Sequence, residues 1–189
     1  ALHMTGLIIT IALLGLIFYY YNRIISMREA VISSETEISV QLDRRGKVFD
    51  SLLATVKKYL SHEADVFTKI TELRAKTQSS NNQEAKAAED ELSKIVSSGA
   101  INVAVENYPE LKSDTIMANL QEEIVSTENK LSFAKRGYNR TLEQYRAFIA
   151  SIPAVFIVKI FPSLVINKEY WRLDETAIKS EEARRINFD

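Results

Sequence analysis

Residues 4–21 carry no charge, and that constrains this chain more than any other feature. The run is dense in Leu and Ile, and at 1.5 Å per residue it nearly spans the ~30 Å hydrocarbon core of a bilayer. Tyr19, Tyr20 and Tyr21 close it, directly ahead of Asn22 and Arg23. Amphipathic rings followed by the first cation are the order expected where a helix leaves hydrocarbon for water. Residues 4–22 are therefore read as a transmembrane anchor, with Tyr19, Tyr20, Tyr21 and Arg23 at the membrane interface. Ala1, Leu2 and His3 precede Met4, are read as a cloning remnant, and are set aside.

Three other readings compete with a membrane span. A cleaved secretory signal would carry a basic start and a small-residue cleavage site, whereas residues 19–22 are bulky and no Lys or Arg precedes Gly6. A core helix is rarely apolar all round. An interfacial helix needs a polar face, which residues 7–18 lack apart from Thr10. Basic residues then set the orientation. Arg23 and Arg28 follow the span closely, Arg44, Arg45 and Lys47 lie further on, and none precedes it. By the positive-inside rule the remainder of the chain is expected on the cytoplasmic side of a bacterial inner membrane, as a single-pass protein.

Composition narrows what that remainder can be. With 24 Lys+Arg against 25 Asp+Glu, the formal net charge of -1 does not ask for a nucleic-acid partner. The absence of cysteine excludes thiol catalysis, disulfides and thiolate metal sites. Five Gly and three Pro are too few for the turns of a many-stranded sheet or for a Gly-rich phosphate loop. The composition favours long helices and a single domain, placed at residues 23–164 with a C-terminal tail over residues 165–189.

Apolar periodicity supports this. Ile24, Met27, Val31, Ile38, Leu42, Phe49, Leu52, Leu53, Val56 and Leu60 recur at helical spacing, so the first helix of the domain is expected to continue out of the membrane. Ser34 and Arg45 interrupt the stripe, and Gly46 is a candidate bend, since glycine costs a helix interior up to about 1 kcal/mol relative to Ala. Beyond Leu60, residues 61–65 offer a cap, but Val66, Phe67, Ile70 and Leu73 keep the period, and one long helix fits equally well. The polar, uncharged residues 77–83 form the clearest loop. A third helix is expected from about Gln83 until the chain nears Pro109, because the residue before a proline avoids the α conformation. The last long helix has the cleanest seam: Ile116, Leu120, Ile124, Thr127, Leu131, Ala134, Tyr138, Leu142, Tyr145 and Ile149. Pro153 ends it. The apolar run Val155, Phe156, Ile157, Val158, Ile160 and Phe161 is too short to span a bilayer. It is expected to cap the bundle, with a small interface or a membrane surface as alternatives. The tail offers Tyr170, Trp171 and Phe188 as docking aromatics. The fold class is thus all-α: an N-terminal transmembrane helix followed by an antiparallel bundle of long helices.

Several segments resemble the LemA family. Gln41-Leu42-Asp43-Arg44-Arg45 is similar to its QLKRR motif, and Thr55-Val56-Lys57-Lys58-Tyr59 with His62-Glu63 to TVKGY…HE. Glu106-Asn107-Tyr108-Pro109-Glu110-Leu111-Lys112 resembles ENYPxLK. Leu120-Gln121 with Glu122-Glu123, Thr127-Glu128-Asn129 and Tyr138-Asn139 then match the LQxEL, TEN and RRYN motifs in order. The chain departs from the pattern at residues 46–52, where the family's YDLIPNL proline and tyrosine are missing. It departs again at Ile116 or Met117 for an aromatic, and at Arg146 for an asparagine. The resemblance implies a single-pass bacterial membrane protein with a long-helix bundle and no established enzymatic activity. It also implies relatives that act in envelope or organelle biogenesis and genes that neighbour membrane quality-control proteases.

Candidate site residues follow from the motifs. Glu106, Asn107, Tyr108 and Pro109 fall at a helix break, where a loop can meet a partner. The preferred reading is structural, with Asn107 and Tyr108 hydrogen-bonding across the bundle. Tyr138 and Asn139 face the same choice, and Tyr138 lies in the apolar seam. Arg44 and Arg45 stand about 30 Å beyond the membrane on a straight helix, too far for headgroups. One of them is expected to pair with a carboxylate such as Glu106 or Glu128. Glu128 and Asn129 complete the candidate set. His62 stands near Glu63 and Asp65 without a second histidine, and no paired Glu-x-x-His, P-loop, G-x-S-x-G or dinucleotide motif occurs. No catalytic residue, metal or cofactor is expected. The expected role is a membrane-anchored scaffold or adapter whose partners are the lipid bilayer and envelope proteins; the alternative is a homo-oligomeric membrane-organising protein.

Overall fold

A computed structural model describes residues 2–60 and 65–173. His62, Glu63, Phe188 and the tail beyond residue 173 lie outside the described residues, as does Ala1. The protein is all-α. Its elements are α1 (Leu2–Tyr59), α2 (Asp65–Thr77), α3 (Asn82–Ser97), α4 (Ala100–Glu106), α5 (Pro109–Lys112), α6 (Thr115–Ala150), α7 (Ala154–Ile160) and a 3-10 turn (Pro162–Leu164).

The chain divides into two compact units. The first takes the described residues up to Glu37 together with Ala134–Arg172. The second takes Ile38–Phe133 and, among the described residues of the tail, Leu173. Both α1 and α6 contribute residues to each unit.

In the first unit α1 opens with the uncharged run, which is long and apolar enough to cross a membrane and is not covered by the chain's own residues. Two of the polar side chains there bond to the backbone one turn earlier. Thr10 Oγ1 donates to Gly6 O at 3.0 Å and Asn22 Nδ2 to Phe18 O at 3.0 Å, which lowers the cost of placing those two side chains in an apolar medium. Beyond the run, Ile24 and Val31 are buried, as are Ala134, Tyr138, Leu142 and Tyr145 of α6, Ala154 and Ile157 of α7, and Leu164.

The second unit holds the larger core. Phe49, Leu52 and Val56 of α1, Phe67 and Ile70 of α2, Leu92 of α3, Ile101 and Val105 of α4, Leu111 of α5 and Met117 and Ile124 of α6 belong to one hydrophobic cluster. Each fully buried side chain of this size contributes about 1.5–3 kcal/mol.

The helix ends follow local chemistry. Lys57 and Lys58 occupy the last turn of α1, where the helix dipole favours cations. Asn81 caps α3, its Oδ1 accepting from Gln83 N at 3.0 Å, so the chain reverses within the expected loop. Tyr108 is extended ahead of Pro109, which opens α5 at its first position.

The continuity of the third helix, the role of Gly46 and the first turn of the α6 seam differ from expectation. The third helix is not continuous: Gly99 takes φ 73, a left-handed conformation that side-chain-bearing residues rarely adopt, and separates α3 from α4. Gly46 does not bend α1, which is helical throughout. A Cβ there would stand 2.8 Å from Arg74 Nη1, so the glycine makes room for a guanidinium that pairs with Asp50 through two hydrogen bonds of 3.0 and 2.9 Å. In the α6 seam the inward residue is Met117, while Ile116 is exposed. Asp114 caps the helix through Ile116 N and Met117 N, which fixes the rotation of its first turn.

Candidate functional site

Arg45 is fully buried in the second unit. It does not interrupt the α1 stripe but belongs to it: Ile24, Val31, Ile38, Arg45 and Leu52 follow at intervals of seven, and all are inaccessible to solvent. A charge at such a position needs partners, because a desolvated ion without them costs several kcal/mol. Two helices supply them. Nη1 donates to Ser93 Oγ of α3 at 2.6 Å and to Glu128 Oε2 of α6 at 2.5 Å. Nη2 donates to the Glu89 carbonyl of α3 at 3.0 Å and to Glu89 Oε2 at 2.5 Å. The Phe49 ring lies 5.9 Å from the guanidinium carbon. Nε finds no partner among the described residues.

The cluster holds one cation and two carboxylates whose side chains are 14 % exposed, an excess of one negative charge at its rim. Five donors in a rigid fork satisfy two carboxylates and a carbonyl at once, which a lysine's point charge does not do. The arrangement ties α1, α3 and α6 in one register. Each carboxylate and the Ser93 hydroxyl are engaged by Arg45.

A second constellation lies in the first unit, where α6 holds the extended segment after the 3-10 turn by its backbone. Tyr145 Oη donates to Leu164 O at 2.7 Å and accepts from Ile166 N at 3.1 Å. Arg146 donates to Lys168 O and lies 4.7 Å from the Tyr170 ring centroid. Tyr138 Oη donates to Glu169 O at 2.9 Å. Asn139 makes both bonds to Trp171, accepting from its N at 2.9 Å and donating to its O at 2.8 Å. Lys168 Nζ closes the strap onto Glu35 of α1 at 2.7 Å. Burial raises the Tyr138 phenol pKa, with the nearby Glu35 carboxylate adding to the effect, so the hydroxyl stays a donor. An extended segment without a strand neighbour has to find its hydrogen bonds somewhere, and here the α6 side chains provide them.

The remaining candidates are dispersed. Arg44, Asn129 and Glu106 are exposed, so of the two carboxylates considered for the arginine pair the structure brings Glu128 to it. Asn107 is exposed, Tyr108 packs partly buried against the core of the second unit, and Pro109 is exposed. Asn107 and Tyr108 do not make the expected side-chain hydrogen bonds across the bundle with described residues, because the turn after α4 leaves one in water and turns the other's ring onto apolar neighbours. Tyr19 and Arg23 are exposed, whereas Tyr20 and Tyr21 are half-buried.

Sequence reasoning missed Glu89 and Ser93. The available signal was helical spacing: both share a face with Leu92 and Val96, an unusual place for a carboxylate. It also missed Tyr145 and Arg146 as backbone clamps. Nothing local marks that role.

An uncovered N-terminal helix feeding a bundle with a buried, charge-paired arginine defines a helical protein with a candidate membrane anchor. The LemA family model matches residues 34–188, and the chain belongs to the LemA family. Among curated proteins, Protein LemA of Metamycoplasma hominis is 25% identical over 142 residues, covering 72% of this chain and 64% of that protein. The chain thus spans less than two thirds of the length of that relative.

Proposed function

We propose that this protein is a non-enzymatic, membrane-anchored scaffold or adapter of the LemA type in the bacterial cell envelope. Residues 4–22 cross the inner membrane and the bundle stands on the cytoplasmic side. The observation that carries the reading is the continuity of α1, whose uncovered apolar run enters the packed bundle without a break. A helix that is apolar on every side and not covered by its own protein belongs in lipid. The lack of a cleavage-type segment between it and the buried Ile24 argues against a removable signal. In the described residues the clustered polar groups are spent on holding helices and strap together, which suits a bundle that presents surfaces rather than one that turns over a substrate.

The partners in this reading are the lipid bilayer and membrane or envelope proteins. Crosslinking in native membranes followed by mass spectrometry, with the anchor intact and with residues 4–22 deleted, tests it. Defined partners should be recovered with the anchored form. Recovery of nothing beyond background would remove the adapter role. A second reading, a homo-oligomeric membrane organiser, is favoured by Val125 and Phe133, two exposed apolar side chains eight residues apart on one face of α6. Light scattering in detergent separates the two readings, since a monomer at every concentration excludes the oligomer.

A further inference from the structure

Helix α7 has two apolar faces. Ala154 and Ile157 are buried in the first unit, which accounts for one of them. On the other, Phe156 is 53% and Ile160 61% exposed, with Ile152 79% and Phe161 37% exposed at either end. Capping the bundle, the expectation for this run, therefore describes only half of it. Phe156 and Ile160, one turn apart, put two large apolar side chains side by side on this face, and the exposed apolar residues Ile152 and Phe161 flank the helix, a concentration that soluble surfaces rarely carry without a partner.

The same unit indicates where the patch stands. Tyr20 stacks on Phe148 near the end of α6, with centroids 5.8 Å apart and planes 15° from parallel. Tyr21 meets Phe161, just past the end of α7, edge to face at 5.1 Å. The last turn of the uncharged run is thus pinned to both flanks of α7, so the uncovered face lies at the level where α1 leaves hydrocarbon.

Charge points the same way. Residues 144–168 and residues 2–28 of α1 contain no Asp or Glu. Of the cations they carry, Lys168 pairs with Glu35 and Arg28 with Glu29, while Arg23 and Lys159 have no carboxylate partner among the described residues. Two acid-free stretches, far apart in sequence, are brought together by the Tyr20 and Tyr21 contacts. Lys159 Nζ sits 5.9 Å from the Phe156 ring centroid, an ammonium held beside an apolar face, as in cations that snorkel from lipid to headgroups.

We propose that α7 and its flanking residues Ile152 and Phe161 lie in the interface of the bilayer that α1 spans. Phe156 and Ile160 enter the acyl boundary, and Lys159 meets anionic headgroups. The protein then grips the membrane twice, by a spanning helix and by an interfacial one, and the second contact fixes how the first unit stands on the surface. This proposal rests on the membrane-anchor reading, and its test keeps the two apart.

The chain has no cysteine, so single cysteines carry nitroxide labels without background. The full chain is reconstituted in vesicles of mixed phosphatidylcholine and phosphatidylglycerol as L13C, F156C, I160C or R140C. Arg140 is an exposed α6 position eight residues before Phe148 and serves as the aqueous reference. Power saturation with oxygen and a water-soluble nickel chelate reports depth. The expected result is Leu13 deep in hydrocarbon, Phe156 and Ile160 about 5–10 Å into the headgroup boundary, and Arg140 in water. K159E should move the two α7 labels toward water in anionic vesicles and leave the Leu13 label in place. Labels at Phe156 and Ile160 as wet as Arg140, with Leu13 still buried, would overturn the proposal and spare the anchor. Spin–spin broadening between α7 labels without oxygen access would overturn it in favour of a second copy. A wet Leu13 label would remove the anchor reading and this proposal with it.

Discussion

Arg45 and Glu128 stand 83 residues apart in sequence, yet Arg45 Nη1 reaches Glu128 Oε2 at 2.5 Å and joins α1 to α6. With Glu89 on the same guanidinium, three helices meet on one buried charge. Such a cluster fixes register, because sliding any helix by a turn would leave an ion desolvated and unpaired.

Removing the cation alone should therefore be severe. Arg45→Ala leaves Glu89 and Glu128 facing each other without it, and a loss of about 3–5 kcal/mol is expected. Arg45→Lys should recover only part of this, since one ammonium does not reproduce the fork. The triple variant Arg45→Met, Glu89→Leu, Glu128→Leu should be close to neutral, within about 1 kcal/mol of the parent or more stable, because it removes all three desolvated charges together. Urea unfolding followed by circular dichroism measures all three. An Arg45→Ala chain as stable as the parent would mean that the cluster contributes nothing.

Gly46 and Arg74 form a coupled pair. In an exposed helix interior Gly→Ala stabilises by about 0.5–1 kcal/mol, but at Gly46 the new Cβ would meet the Arg74 guanidinium at 2.8–3.0 Å. Gly46→Ala in the native background should gain less than in an Arg74→Ala background, where the space is free. The double-mutant cycle should show a coupling of about 0.5–1 kcal/mol, and additivity of the two changes would disprove it.

The contact between Tyr59 and Asp114 predicts a pH window. Tyr59 Oη donates to Asp114 Oδ2 at 2.5 Å, and Asp114 also accepts from the backbone of Ile116 and Met117. These bonds, the tyrosine's first, lower the Asp114 pKa below its ordinary value, while the same side-chain bond raises that of Tyr59 above its own. A lowered acid pKa gives stabilisation that is complete above the unfolded carboxylate pKa and is lost as pH falls through the folded one. A raised phenol pKa gives stabilisation that is complete below the unfolded value near 10 and is lost as pH rises through the folded one. Tyr59→Phe should lower Tm between these limits and converge on the parent at both extremes. A Tm difference that stays constant across the range would disprove the linkage.

Trp171, the one tryptophan, reports on the strap. Asn139→Ala removes both backbone bonds to it, while Lys135 remains 5.1 Å from its ring centroid. Loss of about 1–3 kcal/mol of local stability is expected, with red-shifted emission and greater acrylamide quenching. Tyr138→Phe, which deletes one bond to Glu169 O, should have a smaller effect of the same sign. Unchanged fluorescence in Asn139→Ala would show that the segment is held by other contacts.

Much of the fold was legible in the chain because its determinants are local. An uncharged run of membrane-spanning length, three-and-four spacing along α6, a polar loop over residues 77–83 and prolines at helix breaks act through hydrogen bonds and burial within a few residues. They suffice for the all-α class, for the apolar helix, and for Tyr138 as a core residue. Residue order also carries the family, since motifs such as residues 106–112 persist even where Asn107 is exposed. Tertiary structure decided which charges meet. Glu89 looks like its neighbours Asp90 and Glu91 until the rotation of α3 brings it to Arg45, and Arg45 looks like a break in the α1 stripe until two carboxylates from other helices allow it inside. Gly46 reads as a bend until a guanidinium from α2 occupies the space beside it. The uncharged run of residues 4–21 marks one candidate membrane contact in sequence alone. For the run of residues 155–161 the sequence left capping, a small interface and a membrane surface open, and the choice among them turns on the contacts of Tyr20 and Tyr21 with Phe148 and Phe161, because which face of a short apolar helix stays uncovered is settled by what packs on the other.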